Sequence, residues 1–269
     1  MERRRLKNVI ILTLALLNVF LLAALSVRGT EQRTARRTQR QELAALFAAD
    51  GMTLDPDLIP EDTPLSGYTL TRDEALEREA ATFLLGSGGD RTAQGGGIYT
   101  FSSDHGAALF RDTGSFDAAG ALSGAGEAQD FCRRFCRQFS YSEPVFQLDE
   151  AGTGTAAATR LWKDAPVYNC TVTFGIDRGT VTTVSGSLLP KDGTEANGED
   201  LLSAFAALTA FQQMRYESSS VASAITEITL CYELQSTAAA SMALVPSWCI
   251  VTDTASFYVN CSSGVVRRA

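Results

Sequence analysis

The chain has 269 residues, 45% of them hydrophobic and 20% charged, enough to bury a sizeable core and too apolar to be disordered throughout. Net charge is −8, yet residues 1–40 carry nine Lys/Arg against two Glu, which leaves 14 basic and 29 acidic residues over 41–269, a net of −15. An acidic body excludes nucleic acid as its partner, because such an interface needs a basic patch on the folded part, whereas a basic end suits anionic head groups.

From the N-terminus, Arg3, Arg4, Arg5 and Lys7 precede Val9–Val27, VIILTLALLNVFLLAALSV, a nineteen-residue run without a charge. At about 1.5 Å per residue it matches the roughly 30 Å of a bilayer's hydrocarbon core. A cleaved signal peptide is the competing reading, with Ala24-Leu25-Ser26 as a small-x-small site. The run exceeds the usual apolar core of such peptides, which favours a retained anchor. Positive charge is densest just before the run, so the expected orientation is N-terminus cytoplasmic and body outside. The expected division is a cytoplasmic tail 1–8, a transmembrane anchor 9–27, a basic stalk 28–40 and a folded remainder.

Gln41–Asp50 reads as a short helix with Leu43, Leu46 and Phe47 on one side, stopped by Gly51. Asp55–Pro64, with three prolines and four acids, reads as a loop. Thr71-Arg-Asp-Glu74 is a capping-box pattern, so a second helix is expected from Thr71 to near Gly86, burying Leu76, Phe83 and Leu84. The glycine-rich stretch Gly86–Gly97 reads as a flexible connection. Ile98–Phe101 and Ala107–Arg111 flank Ser-Ser-Asp-His-Gly as a hairpin.

Ala128, Phe131, Cys132, Phe135, Cys136 and Phe139 keep i, i+3, i+4 spacing, the clearest helix in the chain, with Arg133, Arg134 and Arg137 facing water. Tyr168, Cys170, Val172 and Phe174 then alternate with Val167, Asn169, Thr171 and Thr173, turning through Gly175–Gly179 into Thr180–Leu189. Asp192–Asn197 reads as a loop, and Leu201, Phe205, Leu208 and Phe211 mark another helix. Ile228, Leu230, Tyr232 and Leu234 alternate with Thr229, Cys231 and Glu233, a half-buried antiparallel strand. The last hairpin is Leu244–Val251, a turn at Asp253–Ala255, and Phe257–Asn260.

Strands that run consecutively after each helix imply an α+β arrangement of helices packed on antiparallel sheets. Helix 126–139 with 144–190, then helix 199–215 with 224–266, form a weak internal repeat. The expected fold is therefore an N-terminal segment over 41–124 and two related α+β modules over 125–190 and 191–269.

Chemistry is thinly represented. His105 is the one imidazole and sits in a tight turn beside Asp104 and Ser103, where neighbours point apart and make no triad. The chain lacks a GxSxG elbow, a phosphate-cradling loop ahead of a helix and a CxxC pair, so no catalytic residue, cofactor, metal or small-molecule substrate is expected. The six cysteines allow fifteen pairings in a translocated domain; small apolar core residues are the plainer reading. Asn18 lies mid-run among leucines, where a carboxamide seeks a partner helix. The final hairpin offers Pro246, Trp248, Tyr258 and Asn260 as a docking edge or as core.

The basic N-terminus, the single apolar run with Leu17-Asn18-Val19-Phe20-Leu21-Leu22, and the closing Leu244-Val-Pro-Ser-Trp248, Tyr258-Val-Asn260 and Gly264 together resemble the YycI-type regulatory proteins, grouped with YycH, of Gram-positive bacteria. The proline-x-tryptophan and aromatic-Val-Asn pattern is also similar to the closing hairpin of PepSY-like modules. The resemblance implies a transmembrane helix followed by tandem PepSY-like modules, and no enzyme. It implies a membrane-anchored protein that, with a YycH-like partner, modulates the WalK/YycG sensor histidine kinase of cell-wall control. Leu17, Asn18, Phe20 and Leu21 would then make the contacts inside the membrane. Cys249 after the tryptophan, and six cysteines with three lysines, depart from those relatives. The alternative is an extracytoplasmic PepSY-like module that binds a peptide or inhibits a protease.

Overall fold

The computed structural model describes residues 34–61, 66–86, 89–196, 201–218, 222–236 and 242–269. The expected anchor over 9–27, and with it Leu17, Asn18, Phe20 and Leu21, lies outside the described residues. Among those described, no helix is long and apolar enough to cross a membrane.

Two compact units divide the chain. The first runs up to Ile59 and takes in 221–226 and Thr252–Thr254; the remainder forms the second. In the first unit, helix α1 covers 34–49 and buries Leu43 and Phe47, while Leu46 stands 51% exposed. Leu46 and Phe47 are adjacent and so about 100° apart around the axis, and the buried stripe takes Phe47. Strand β1 (Thr53–Leu54) pairs in parallel with the start of β12 (Ala224–Ser236), through Thr53↔Ala224 and Leu54↔Ile225. Asp55 caps a 3-10 turn, Pro56–Leu58, by accepting from Asp57 N at 2.9 Å.

The second unit opens with β2 (Gly67–Leu70) and α2 (Glu74–Leu85). The cap of α2 is Asp73 instead of Thr71: its carboxylate accepts from Ala75 N at 2.9 Å and Leu76 N at 3.0 Å. A charged oxygen two residues closer to the free amides outcompetes a hydroxyl. Gly86 closes the helix at φ 74, the left-handed turn that glycine adopts without a Cβ clash. Most of the stretch after Gly86, expected to be a loose connection, instead forms β3 (Asp90–Gly95), an edge strand exposed on both sides that β4 (Ile98–Ser103) holds by backbone pairing.

Then come β5 (Gly106–Phe110), β6 (Ser115–Gly120) and α3 (Ala128–Gln138). All six apolar positions read for α3 are buried, and its rings meet β-sheet rings: Phe135 lies 5.5 Å from Phe174 and 6.1 Å from Phe116. Strands β7 (Val145–Leu148), β8 (Gly154–Trp162), β9 (Ala165–Asp177) and β10 (Thr180–Ser187) follow, then the short β11 (Thr194–Ala196) where a loop was expected. Helix α4 (Ala204–Ser218), β12, β13 (Met242–Thr252), β14 (Ser256–Asn260) and β15 (Val266–Arg268) complete the chain.

The expectation of an α+β chain of two tandem PepSY-like modules, each with its own antiparallel sheet, is overturned by the pairing. The strands join one mixed fifteen-stranded sheet, with a main path of β11-β2-β13-β12-β9-β10-β6-β5-β4-β3. The supposed second module's β12 pairs in parallel with the first module's β9 at Tyr232↔Val167. A repeat in hydrophobic period specifies strands; it does not say whether they close into two sheets or merge, because strand edges carry no private code.

Candidate functional site

The four residues read on the final hairpin do not act together. Ser247 pairs with Asn260, Trp248 with Val259, Cys249 with Tyr258 and Ile250 with Phe257. Alternation then sets Pro246 and Trp248 on one face with Val259 and Phe257, and sets Tyr258 and Asn260 on the other with Ser247 and Cys249. Trp248 is core: it is 3% exposed and donates Nε1–H to the Leu202 carbonyl at 3.0 Å. Pro246 is buried on the same face. Nor is the hairpin an open edge, since β15 pairs with β14 through Phe257↔Arg268, Tyr258↔Arg267 and Val259↔Val266.

On the Tyr258–Asn260 face the chain assembles a site that a simple alternation does not show. Strand β12 is buried on both sides at Cys231, Tyr232 and Glu233. The side chain of Glu233 is 3% exposed, and it accepts from donors on two other strands and on its own. Arg267 NH1 on β15 reaches Oε1 at 2.5 Å, and Asn260 Nδ2 on β14 reaches Oε2 at 2.7 Å. Gln235 Nε2 adds a bond to Oε2 at 3.2 Å, and the Tyr168 side chain on β9 lies close enough to feel the charge of the same carboxylate.

The Tyr168 ring stacks flat on Tyr258, centroids 3.8 Å apart and 6° from parallel. Burial, then the negative charge of Glu233, pushes the Tyr168 hydroxyl up to about 12, so it stays protonated at neutral pH. Asn260 is held in turn, because its Oδ1 accepts from Ser262 N at 3.0 Å and Ser263 N at 2.9 Å.

This arrangement holds a cation. A buried carboxylate among donors is satisfied by a guanidinium, here that of Arg267. Sequence reading missed Glu233, Arg267 and Tyr168. Strand alternation puts Tyr168 in line with Cys170, but Val167 is buried and Tyr168 only half-buried, because the β8–β9 register shifts by three residues between Thr159↔Thr171 and Leu161↔Pro166. Glu233 carried one usable signal, an acid in the middle of an apolar strand.

The remaining chemistry-bearing residues are structural. Ser103 turns its hydroxyl to the Leu85 carbonyl at 3.2 Å and accepts from His105 N at 3.1 Å, so its oxygen is spent on the turn. The six cysteines are all free thiols. Burial pushes Cys132, Cys136, Cys170 and Cys261 up to about 12, and raises Cys231 and Cys249 as well, the reverse of an activated nucleophile. Arg72 pairs with the buried Glu77 at 2.7 Å and 3.0 Å and lies over Tyr99, with Arg91 on the same ring, an ion-pair brace at the start of α2. Among the described residues, no group of His, Cys, Asp and Glu is placed to hold a metal ion.

No family model matches this chain, and no curated protein matches it. Solved structures do. An uncharacterized protein from Eubacterium rectale ATCC 33656 is similar at 10% identity and a TM-score of 0.41, over 76% of this chain and 80% of that one. The Bacillus megaterium YpeB C-terminal domain is similar at 11% identity and a TM-score of 0.32, over 74% of this chain and 98% of that one. No function passes from either to this chain.

Proposed function

We propose that this chain is a membrane-anchored, extracytoplasmic regulator of a sensor histidine kinase that works through protein contacts. The observation that carries the reading is the uncharged run Val9–Val27, with a cationic cluster before it and an acidic, strand-rich body after it. The resemblance to YycI-type proteins supplies the finer version: the kinase belongs to a cell-wall-related two-component system, and a YycH-like protein sits beside it. In that version Leu17, Asn18, Phe20 and Leu21 line the contact inside the membrane.

The physics of such control is differential affinity. A helix that binds a two-state kinase shifts its balance only by the difference in binding between the states, and one interhelical hydrogen bond from Asn18 contributes about 0.5–2 kcal/mol. That is a shift of several-fold in population. The test is a kinase-dependent reporter in cells carrying Asn18→Leu, with the protein followed in membrane and soluble fractions. The expected result is a membrane-bound protein with weakened control; full control by the variant, or by a soluble chain starting at Gln41, would reject the intramembrane mechanism.

A second reading, an extracytoplasmic module that binds a peptide or inhibits a protease, is favoured by one observation. Strand β7 pairs with β8 alone among the described strands and presents Val145 at 68% exposure, an edge suited to strand addition. Full cellular effect from the soluble chain would select it.

A further inference from the structure

The pair Arg267–Glu233 is lopsided. The carboxylate is 3% exposed and the arginine 60% exposed. The acceptor side is built from separate strands: Glu233 from β12 and Tyr168 from β9, each thirteen residues long, and Tyr258 and Asn260 from β14. The donor arrives on β15, three residues at an edge, whose only strand partner among those described is β14. Short edge strands open at the lowest cost of any element in a sheet, while the acceptor stays with the core. A buried carboxylate is costly to leave without a counter-charge, so whatever displaces Arg267 must bring a cation to the same place.

Alternation makes the requirement more exact. Of the three residues of β15, Arg267 lies across from Tyr258 and turns to the Glu233 face, whereas Val266 and Arg268, across from Val259 and Phe257, turn the other way. Recognition by added strand works in this manner, with backbone bonds for affinity and alternate side chains for choice.

We infer that the β14 edge beside Glu233 is a docking site for an extended, arginine-bearing segment of a partner protein, and that β15 is its built-in competitor. The incoming strand replaces β15 along β14 and seats its guanidinium on Glu233 against the Tyr168–Tyr258 stack. Charge complementarity supports this occupant twice. The site already holds a guanidinium in that position, and the body around it carries a net −15 over residues 41–269, which draws basic segments. While β15 is in place, apparent affinity is reduced by the fraction of molecules in which the edge is open. The inference stands on the Glu233 site and goes beyond the proposed regulatory reading; it does not need the anchor, and the Asn18→Leu experiment leaves it untouched.

The experiment compares the full chain with one ending at Gly264, which lacks β15. The probe is a fluorescent pentapeptide of residues 265–269, Val-Val-Arg-Arg-Ala, and a control peptide with neutral citrulline at its first arginine. Fluorescence anisotropy is expected to show the shortened chain binding the arginine peptide roughly tenfold or more tightly than the full chain does, with about a tenfold loss for the citrulline peptide. Equal binding of the two peptides, or no binding by a shortened chain that keeps its β-sheet circular dichroism, overturns the inference. If the shortened chain does not fold, the full-length Arg267→Ala variant decides. Millimolar methylguanidinium is expected to raise its melting midpoint while leaving wild type and Glu233→Gln unchanged, and no selective rise overturns the inference. A concentration-dependent dimer of the full chain that exchanges β15 would make a second copy the occupant and overturn the external partner.

Discussion

Trp248 and Tyr258 lie one cross-strand step apart on the last hairpin, and truncating each to alanine separates core from surface. Trp248 is 3% exposed, shares its face with Val259 and Phe257, and places Nε1–H on the Leu202 carbonyl at 3.0 Å. A buried aromatic cut to alanine costs about 3–5 kcal/mol, and the lost hydrogen bond, which strands a carbonyl, adds roughly 1 kcal/mol. The expected loss for Trp248→Ala is therefore about 4–6 kcal/mol. Tyr258 is half-buried on the opposite face and loses mainly its stack on Tyr168 at 3.8 Å, worth about 0.5–1.5 kcal/mol, plus partial burial. The expected loss for Tyr258→Ala is about 1–2 kcal/mol. Urea unfolding followed by far-UV circular dichroism measures both, compared by midpoint at unchanged slope. If Trp248→Ala costs no more than Tyr258→Ala, the assignment of Trp248 to the core is wrong, and the hairpin presents its tryptophan to a partner after all.

Gly120 sits at φ +145 directly across from Gly106, and a Cβ there would collide with the His105 backbone carbonyl; Gly120→Ala is expected to cost roughly 1–3 kcal/mol, read as a lower thermal midpoint. Native protein treated with an aromatic disulfide reagent at pH 7–8 is expected to react first at the half-buried Cys249, with Cys132, Cys136, Cys170 and Cys261 released only on unfolding. Prompt reaction of several thiols would contradict their burial. Asp253 accepts from Ser223 Oγ at 2.5 Å and from Ser223 N at 3.0 Å, and these bonds hold its carboxyl below the ordinary value. A depressed folded value stabilises above the unfolded one, about pH 4, and that stability is lost as pH falls through the folded value. Wild type is expected to outlast Asp253→Asn at neutral pH and to converge with it in acid, measured by melting midpoint between pH 2 and 7.

Local pattern was enough for several elements. The phenylalanine and cysteine spacing of α3 predicts the buried face that the structure has, because a 3.6-residue period under an apolar stripe has one solution. The hairpins β4–β5 and β13–β14 are legible for a like reason: alternation and a short polar turn bring adjacent strands together at low entropic cost. Where neighbours competed, local reading slipped by a residue or two, as when Asp73 took the cap from Thr71. Strand β3 escaped notice since neither of its faces is buried, so no hydrophobic period marks it.

What the residues alone determine, then, is the charge division, the uncharged run at 9–27 and the elements whose partners are next to them in sequence. The meeting of β9 with β12 at Val167↔Tyr232, which merges two expected sheets into one, was settled only by tertiary pairing, and so was the gathering of Tyr168, Glu233, Asn260 and Arg267 around one carboxylate. Those contacts join positions 27 to 65 residues apart in the chain. Backbone edges pair without regard to which side chains they carry, and the burial of Glu233 depends on donors from strands that its own neighbours do not specify.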